Sequence, residues 1–437
     1  MIALLQELWV FLIFAFLIIR FKIGLAFYLS YIILVPYLNI NIGGIQLQWN
    51  FVNILVLVIT IYHIRFKHKK IKIDYRPFIP FFIYYSFSLI LMPFQMATPL
   101  GVQFNFWRAE IMSCLILPFA LWSQMKIDVS SVKLYRNVTI ACIFIVSSYG
   151  LFLTAIPGIN PYIILVSEAN GAEFNEAYAL AEGGGRLFGR ISSVFAHPML
   201  FGLFLGLSMI YVFYNRRQLP LYVFVILFSI MGLDILFCGV RSAIGGIIIA
   251  MTFYFVQSQA YKLMYITIIV GLIGYQVVLT IPDLSAYIGS ITDINNQQND
   301  VHGSSIDMRL EQFQGCLKEI QNCFVFGKGF GWIGYYKELH GYHPVILAFE
   351  SLIYVVLCNS GLIGVIIWGT MSLKLVSYNN MHNKNEKALL NALFAFYIGY
   401  SCITGEYGYK RYFLLFYILM LGEILLRQQE SPKVCRN

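Results

Sequence analysis

Charged residues are scarce in this sequence. Of its 437 residues, 12% are charged whereas 59% are apolar. Such a composition excludes an ordinary soluble protein, in which charged side chains cover much of the surface. The alternation of apolar and polar residues that indicates half-buried strands is also absent. The composition therefore predicts a helical membrane protein.

Motifs of metal and nucleotide sites are lacking too. No H-E-x-x-H or D-x-D stretch, carboxylate cluster or zinc-type cysteine spacing occurs, so neither a metal nor another cofactor is expected. The glycine-rich stretch FGKGFG (Phe326–Gly331) is not followed by the Lys-Ser/Thr pair of a phosphate-binding loop. The eight cysteines are scattered, and Cys316 and Cys323 are too far apart along a predicted helix to bridge one another. We expect the cysteines to be structural.

Long apolar runs are what the sequence has instead. Runs of about 17–25 residues match the thickness of a hydrocarbon layer, and lipid forces such runs to be helical because it cannot hydrogen-bond a backbone. We predict an all-α, polytopic transmembrane bundle of about 12–13 spans, with two long extracytoplasmic loops. The predicted spans are 3–20, 24–41, 50–64, 78–95, 106–124, 137–156, 198–214, 219–237, 243–257, 263–281, 346–370, 387–403 and 412–426.

The net charge of +9 is distributed as a topology signal. With the N-terminus outside, most basic residues fall in predicted inner segments, including the run RFKHKKIK (Arg65–Lys72). An excess of lysine and arginine on the cytoplasmic side is typical of membrane proteins, so no nucleic-acid partner is expected. The predicted divisions are N-terminal helices 1–156, a first long loop 157–197, central helices 198–281, a second long loop 282–345 and C-terminal helices 346–437.

The two loops differ in character. Residues 167–186 (SEANGAEFNEAYALAEGGGR) are acidic and then glycine-rich, which favours a solvated, flexible segment. In the second loop, helical spacing places four apolar residues on one stripe, with Ser304 or Ser305 as the predicted cap. This pattern predicts an amphipathic helix on the outer membrane surface. The stripe consists of Leu310, Phe313, Leu317 and Ile320.

Several cations are predicted on the outer side of the membrane, although lysine and arginine are usually in excess on the cytoplasmic side. Arginine stays charged and presents a planar fork of donors that suits phosphate, so several converging arginines would suit a diphosphate. The alternative for each is an arginine at the membrane interface, or an ion pair with an acid such as Asp234. These cations are Arg186, Arg190, Arg241, Arg309, Lys410 and Arg411.

Three further residues are candidates for chemistry. Glu350 is predicted about one helical turn inside an apolar run, where a carboxylate costs several kcal/mol unless it is paired or protonated. It either pairs with an arginine or acts as a general base toward a hydroxyl. His197 and His343 each precede a proline where a loop meets a span, and each is either a helix-start residue or part of a site.

The order of short motifs along the chain resembles that of the O-antigen polymerase and ligase superfamily, and the Wzy-type polysaccharide polymerases are the closest in pattern. The resemblance covers about 186–364. The motifs are R-x-S-S-x-F-x-H-P (Arg190–Pro198), V-R-S-A (Val240–Ala243), M-R-L (Met308–Leu310) followed by FGKGFG, and E-S-L-x-x-x-x-L-x-N-S-G-L-I-G (Glu350–Gly364).

The resemblance implies a metal-independent glycosyltransferase of the bacterial inner membrane, with its active site facing the periplasm. In such enzymes a hydroxyl of one lipid-linked repeat unit attacks the anomeric carbon of another chain, and undecaprenyl diphosphate leaves. The implied partners are undecaprenyl-diphosphate-linked oligosaccharide, membrane lipid and a chain-length regulator protein. The resemblance places the diphosphate-holding arginines at Arg190 and Arg241. Together with Glu350 they are the predicted catalytic residues. The predicted substrate-binding residues are Arg186, His197, Arg309, His343 and Arg411.

One departure bears on the choice within the superfamily. O-antigen ligases carry a His-Asn pair eleven residues before a glycine, and the same count back from Gly361 reaches Glu350 and Ser351. This difference favours a polymerase of O-antigen or capsule type over a ligase that transfers glycan to lipid A core or protein. A flippase for lipid-linked oligosaccharide is a third alternative, although no internal repeat is visible.

Overall fold

The computed structural model describes residues 2–35, 39–42, 45–68, 73–156, 159–169, 190–280, 306–346, 349–406 and 408–434. Helices dominate these residues. They are α1 (Ile2–Ile19), α2 (Phe21–Leu34), α3 (Trp49–Tyr62), α4 (Ile79–Leu91), α5 (Leu100–Ile127), α6 (Ser131–Leu153), α7 (Pro161–Ala169), α8 (Pro198–Tyr214), α9 (Leu221–Phe237), α10 (Arg241–Ser258), α11 (Tyr261–Leu279), α12 (Ile306–Glu319), α13 (Trp332–His340), α14 (Leu352–Asn379), α15 (Lys384–Thr404) and α16 (Tyr409–Val434).

The helical class is confirmed, and the length and apolar composition of several helices support a membrane protein. A helix lies at each predicted span, although the boundaries shift by several residues. Within the described residues, five stretches are long and apolar enough to cross a membrane: Arg76–Phe94, Leu100–Ile127, Ser131–Leu153, Leu352–Asn379 and Lys384–Thr404. Shorter apolar helices of 10–17 residues lie at other predicted spans, and the total number of spans stays a prediction.

A β-hairpin follows α2 and was not predicted. Strands β1 (Asn39–Ile42) and β2 (Ile45–Gln48) pair antiparallel, with Asn39 opposite Gln48 and Ile42 opposite Ile45. The strands read NINI and IQLQ, so the expectation that alternation is absent was wrong for this short stretch. The predicted span 24–41 accordingly ends at Leu34.

Helix α16 forms the centre of the bundle. Every residue from Tyr412 to Ile424 is buried. Around it, α8 and α15 approach closely because Gly206 leaves room for the ring of Phe396, which an added Cβ atom would meet. Small residues at such crossings are the usual way to bring membrane helices together, since lipid supplies little hydrophobic drive between them.

Helix α14 is interrupted at Gly361, whose backbone has φ 61° and ψ −157°. The segment 324–329 docks into the interruption and exchanges backbone hydrogen bonds with it. The Lys328 amide donates to the Cys358 carbonyl at 2.8 Å, and the Leu362 amide donates to the Phe324 carbonyl at 2.9 Å. The docked segment therefore satisfies polar groups that the break in the helix leaves free.

The FGKGFG stretch (Phe326–Gly331) and the N-S-G-L-I-G stretch (Asn359–Gly364) thus pack against each other through glycines. Gly327 has φ 74°, and a Cβ atom added to it would lie 2.5 Å from the Gly361 amide nitrogen. The Gln95 side chain also donates to the Phe326 carbonyl (2.6 Å) and to the Asn359 carbonyl (3.1 Å). The FGKGFG stretch is therefore a structural junction between the α4–α5 turn and α14.

This junction predicts a sharp difference between two glycine-to-alanine variants of α14. Gly361→Ala is expected to destabilise the protein by about 1–3 kcal/mol, because alanine disfavours the positive φ and its Cβ would lie 2.5 Å from the Gly327 nitrogen. The measurement is the midpoint of thermal unfolding in detergent. Gly369→Ala is the matched control, since nothing lies within 4 Å of a Cβ added there. Equal midpoints for the two variants would contradict the role of the junction.

Candidate functional site

One end of the bundle, which we call the loop face, is the end at which α12 and α13 lie. Arg309 of α12 donates to the Ile403 carbonyl near the end of α15 at 2.7 Å. Thr98, just before α5, donates to the Lys328 carbonyl just before α13 at 3.0 Å. Helices α8, α10, α14 and α16 begin at this face, and α9 and α15 end there. The predicted site residues that the structure describes lie at this face.

The helix predicted in the second long loop is α12. Three of the four residues of its predicted apolar stripe are exposed, and the fourth, Ile320, is buried just beyond the end of the helix. Leu310 is 57% exposed, and Phe313 and Leu317 are also exposed, whereas Cys316 and Ile320 are buried. An apolar stripe left uncovered by the rest of the chain fits the predicted position on a membrane surface. The predicted caps Ser304 and Ser305 lie outside the described residues.

Glu350 does not lie inside a helix, so that part of the prediction was wrong. Helix α14 begins at Leu352, and Ser351 caps it by accepting from the Ile353 amide at 3.3 Å. A Glu350 carboxylate oxygen lies 3.7 Å from a guanidinium nitrogen of Arg309. Arg309 also donates to the Glu350 backbone carbonyl at 3.0 Å. The pairing alternative describes Glu350 best, because Arg309 ties α12 to the start of α14.

In both predicted histidines, a ring nitrogen accepts a hydrogen bond from a nearby backbone amide. His197 Nδ1 accepts from the Met199 amide at 3.0 Å and caps α8. His343 Nδ1 accepts from the Ile346 amide at 2.9 Å, while its Nε2 lies 3.3 Å from Glu319. These contacts favour the helix-start alternative for His197 and a structural role for His343.

Arg190 and Arg241 lie near the α9–α10 turn at the loop face, Arg190 in the non-helical segment before α8 and Arg241 at the first position of α10. The Ile191 amide, next to Arg190, lies 3.4 Å from the carbonyl of Phe237, the last residue of α9. Helix α10 begins with Arg241, four residues later. Tyr400 of α15 lies close enough to interact with Arg190 and with the residue that follows Arg241. Both arginines are partly exposed, so the two cations share one accessible neighbourhood.

Among the other predicted cations, Arg411 has partners of its own. Arg411 lies with its guanidinium carbon 4.7 Å from the ring centre of Tyr412 and donates to the Tyr412 hydroxyl at 3.1 Å. It also interacts electrostatically with Tyr28 of α2, toward the N-terminal helices. Arg186 lies outside the described residues. The structure therefore brings Arg190 and Arg241 together but gives Arg411 a different surrounding.

A cavity of about 390 Å³ lies at the loop face, between α4, α5, α14 and the α15–α16 turn. We call it the loop-face cavity. Aromatic rings form part of its wall, and hydroxyl and amide groups form another part. Three charged residues, Glu110, Glu406 and Lys410, also line it. The neutral lining includes Tyr84, Phe106, Trp368, Ser88, Asn359 and Ser360.

Lys410, near the start of α16, supplies a cation to this cavity. Its side chain is only 4% exposed and forms an ion pair with Glu110 of α5. Tyr85 donates its hydroxyl to the same carboxylate at 2.9 Å, and the Lys410 ammonium lies 4.4 Å from the ring centre of Tyr84. Because a buried charge requires a partner, these contacts hold α5 and α16 in register.

Glu406 lines the cavity from the α15–α16 turn and is the most suitable proton acceptor in it. A carboxylate oxygen of Glu406 accepts from the Lys410 backbone amide at 2.8 Å. Enclosure by the protein raises the pKa of Glu406, although the Lys410 ammonium opposes that rise. A carboxylate with a raised pKa beside hydroxyl-binding groups can take a proton from a hydroxyl.

The cavity and the two arginines lie on either side of an aromatic pair. The ring of Tyr400, which neighbours Arg190, is 5.6 Å from the ring of Tyr409. Lys410 follows Tyr409 directly and faces the cavity. The arginine neighbourhood and the cavity therefore border the same pair of helices, α15 and α16.

Sequence reasoning did not select the three charged residues of the cavity as a site. Glu110 lies within the predicted span 106–124, so the desolvation argument that singled out Glu350 applies equally to it. Lys410 was predicted as one of the outer cations but was not selected as a site residue. No local pattern marks Glu406, whose role depends on helices α4, α5 and α14 that are distant in sequence.

Comparisons with protein-family models, curated proteins and solved structures found no match for this chain. The motif order, the position of the two arginines and the loop-face cavity are the features that bear on function.

Proposed function

We propose that this protein is a polysaccharide polymerase of the O-antigen or capsule type. It transfers a glycan from undecaprenyl diphosphate to a hydroxyl of another lipid-linked repeat unit, on the periplasmic face of the bacterial inner membrane. The observation that carries the proposal is the joint position of the Arg190–Arg241 neighbourhood and the loop-face cavity, on two sides of the Tyr400–Tyr409 pair. A chain-length regulator is the proposed protein partner.

The arginines hold the donor. Two guanidinium groups near the α9–α10 turn match the charge of a diphosphate, which becomes more negative on its bridging oxygen as the glycosidic bond breaks. Helix α10 begins at Arg241, so its N-terminal amides add positive potential at the same place. The lipid tail would remain in the membrane beside the apolar helices.

The loop-face cavity holds the acceptor sugar. Aromatic faces such as Tyr84 and Trp368 suit the apolar face of a sugar ring, and Asn359 and Ser360 suit its hydroxyls. Glu406 takes the proton of the attacking hydroxyl, whose oxygen forms the new bond to the anomeric carbon. The bond from that carbon to the diphosphate oxygen breaks, and the diphosphate leaves with the electron pair.

The orientation of the bundle is part of the same proposal. The loop face is periplasmic, so α12 lies on the outer surface, and the predicted thirteen spans place the RFKHKKIK run in the cytoplasm. A donor in this compartment arrives already activated and membrane-borne, which matches a site built from cations and a carboxylate without a nucleotide-binding loop.

The proposal is tested by deleting the protein from its host and analysing the surface glycan by gel. Surface glycan limited to single repeats is the expected result. Loss of all attached glycan with accumulation of long lipid-linked chains would indicate a ligase, and loss of outward-facing lipid-linked units would indicate a flippase. Either of those two outcomes would overturn the polymerase assignment.

The donor role of the arginines predicts the behaviour of Arg241→Lys. This variant keeps the charge but loses the fork of donors, so polymer formation is expected to fall by about 10²–10³-fold at unchanged protein level. Polymer is measured by the glycan ladder after complementation of the deletion strain. Arg217→Lys, at an exposed position of the α8–α9 turn, is the matched control and should retain the normal ladder. Normal polymer from Arg241→Lys would contradict the assigned role.

A further inference from the structure

Two buried cysteines from distant parts of the sequence are in direct contact at the loop face. The sulfur atoms of Cys316 in α12 and Cys358 in α14 lie 3.4 Å apart, and both residues are 0% exposed. They are separated by 42 residues along the chain. The contact of Cys316 is thus with Cys358 and not with Cys323, the nearer cysteine in sequence.

The pair sits inside a small hydrophobic core that is separate from the main core of the bundle. This second core joins α12, α13 and the first turns of α14. Outside it, α12 is held to α14 by Arg309, whose side chain pairs with Glu350 and whose carbonyl accepts from the Tyr354 hydroxyl at 2.9 Å. A small core with few supporting contacts is a place where a covalent link adds much to stability.

We propose that Cys316 and Cys358 form a disulfide bond that ties α12 to α14. The sulfur atoms are already in contact, and the bond length of about 2.05 Å requires only a modest further approach. The proposal does not depend on what the protein transfers.

The bond forms by thiol–disulfide exchange with a protein or low-molecular-weight disulfide. The Cys316 thiolate attacks that disulfide and releases one thiol, and the Cys358 thiolate then displaces the second, so the oxidant leaves as two thiols. Hydrogen bonding with Cys358 lowers the pKa of the Cys316 thiol despite its burial, which favours Cys316 as the first nucleophile. Burial of the finished bond then keeps reducing thiols from it until heating opens the protein.

The position of the pair fits an oxidising compartment. Disulfides persist in the bacterial periplasm and are rare in the cytosol. Cys316 belongs to the helix of the second predicted extracytoplasmic loop, and Cys358 lies just before the break at Gly361 in α14. A disulfide here would fix the loop helix to the rim of the docked glycine junction.

The direct test is the oxidation state of the full-length protein. Cells are lysed and denatured in N-ethylmaleimide, and the protein is digested without reductant and analysed by mass spectrometry. The expected result is a cross-linked peptide pair containing Cys316 and Cys358, which disappears on reduction. Recovery of both cysteines as alkylated thiols from the wild-type protein would overturn the proposal.

A second measurement guards against incomplete digestion. Reductant should lower the midpoint of thermal unfolding of the wild-type protein in detergent by several degrees, and should leave the Cys316→Ser/Cys358→Ser variant unchanged. Cys323→Ser is the matched control and should respond to reductant as the wild type does. An equal response of the double variant and the wild type would contradict the link. Because both readouts concern the protein itself, a failed glycan assay would leave them unaffected.

Discussion

Replacing Glu406 by glutamine is expected to abolish polymer formation while the protein stays folded. Glutamine has nearly the same shape and keeps an oxygen that can accept from the Lys410 amide, but it cannot take a proton. Loss of a general base typically lowers a rate by about 10²–10⁴-fold, which would remove the ladder above a single repeat. The measurement combines the glycan ladder with the thermal unfolding midpoint in detergent.

Glu350→Gln is the matched control for this variant. Glu350 is partly exposed and faces Arg309, so its replacement should weaken the α12 contact without removing the proton acceptor. We expect polymer to persist in Glu350→Gln. The reverse pattern, with polymer from Glu406→Gln and none from Glu350→Gln, would return the base role to Glu350.

Acidity provides a further readout of the same carboxylate. The base form of Glu406 is the deprotonated one, and enclosure raises its pKa above that of an ordinary carboxyl group. As pH falls, Glu406 therefore becomes protonated earlier than an exposed glutamate would. The acid limb of the rate of polymerisation in reconstituted membranes should lie above the usual carboxyl range. A rate of polymerisation that stays constant as the pH falls to the usual carboxyl range would contradict the role of Glu406 as the base.

Lys410→Met is expected to cause the largest loss of stability of any single change at the loop face. The substitution leaves the Glu110 carboxylate beside the cavity without its ammonium partner, and breaking one side of a buried pair costs about 3–5 kcal/mol. The methionine also loses the contact with the Tyr84 ring. The measurement is thermal unfolding in detergent at constant pH.

Two further variants separate the ion pair from the loss of charge in general. Lys374→Met changes an exposed lysine of α14 and should leave the unfolding midpoint almost unchanged. The double variant Lys410→Met/Glu110→Gln removes both charges and should recover most of the stability, because no unpaired carboxylate remains. A double variant no more stable than Lys410→Met would show that the pair itself is not what the lysine stabilises.

The helices could be predicted from sequence because a backbone in lipid must form its own hydrogen bonds, which makes every long apolar run helical. The span predicted at 198–214 has the bounds of α8, since the His197-Pro198 pair marks its start and the Arg216-Arg217 pair lies just beyond its end. The break at Gly361 was not predicted, because it depends on a docked segment more than 30 residues earlier in the chain. A hydropathy pattern carries no information on such a partner.

Site residues could be predicted from the sequence only where a charged residue stands among apolar residues or on the side of the membrane that usually lacks its charge. Arg241 was singled out because it stands between two apolar runs on the side that usually lacks cations, and it does lie near Arg190. Glu350 was placed in a helix because its neighbours are apolar, yet Ser351 starts that helix after it. Glu406 needed the tertiary structure, since its importance comes from the cavity it faces.

The docked glycine junction has a consequence for the order of synthesis. Gln95 donates to the Asn359 carbonyl, which is 264 residues later in the chain. At a translation rate of about 5–20 residues per second, the amide waits on the order of half a minute for this partner. The walls of the loop-face cavity that come from α4 and α5 wait about as long for α14 and longer for Lys410. The cavity is therefore one of the last parts of the protein to be assembled, and a nascent chain that stalls before Asn359 has no loop-face cavity.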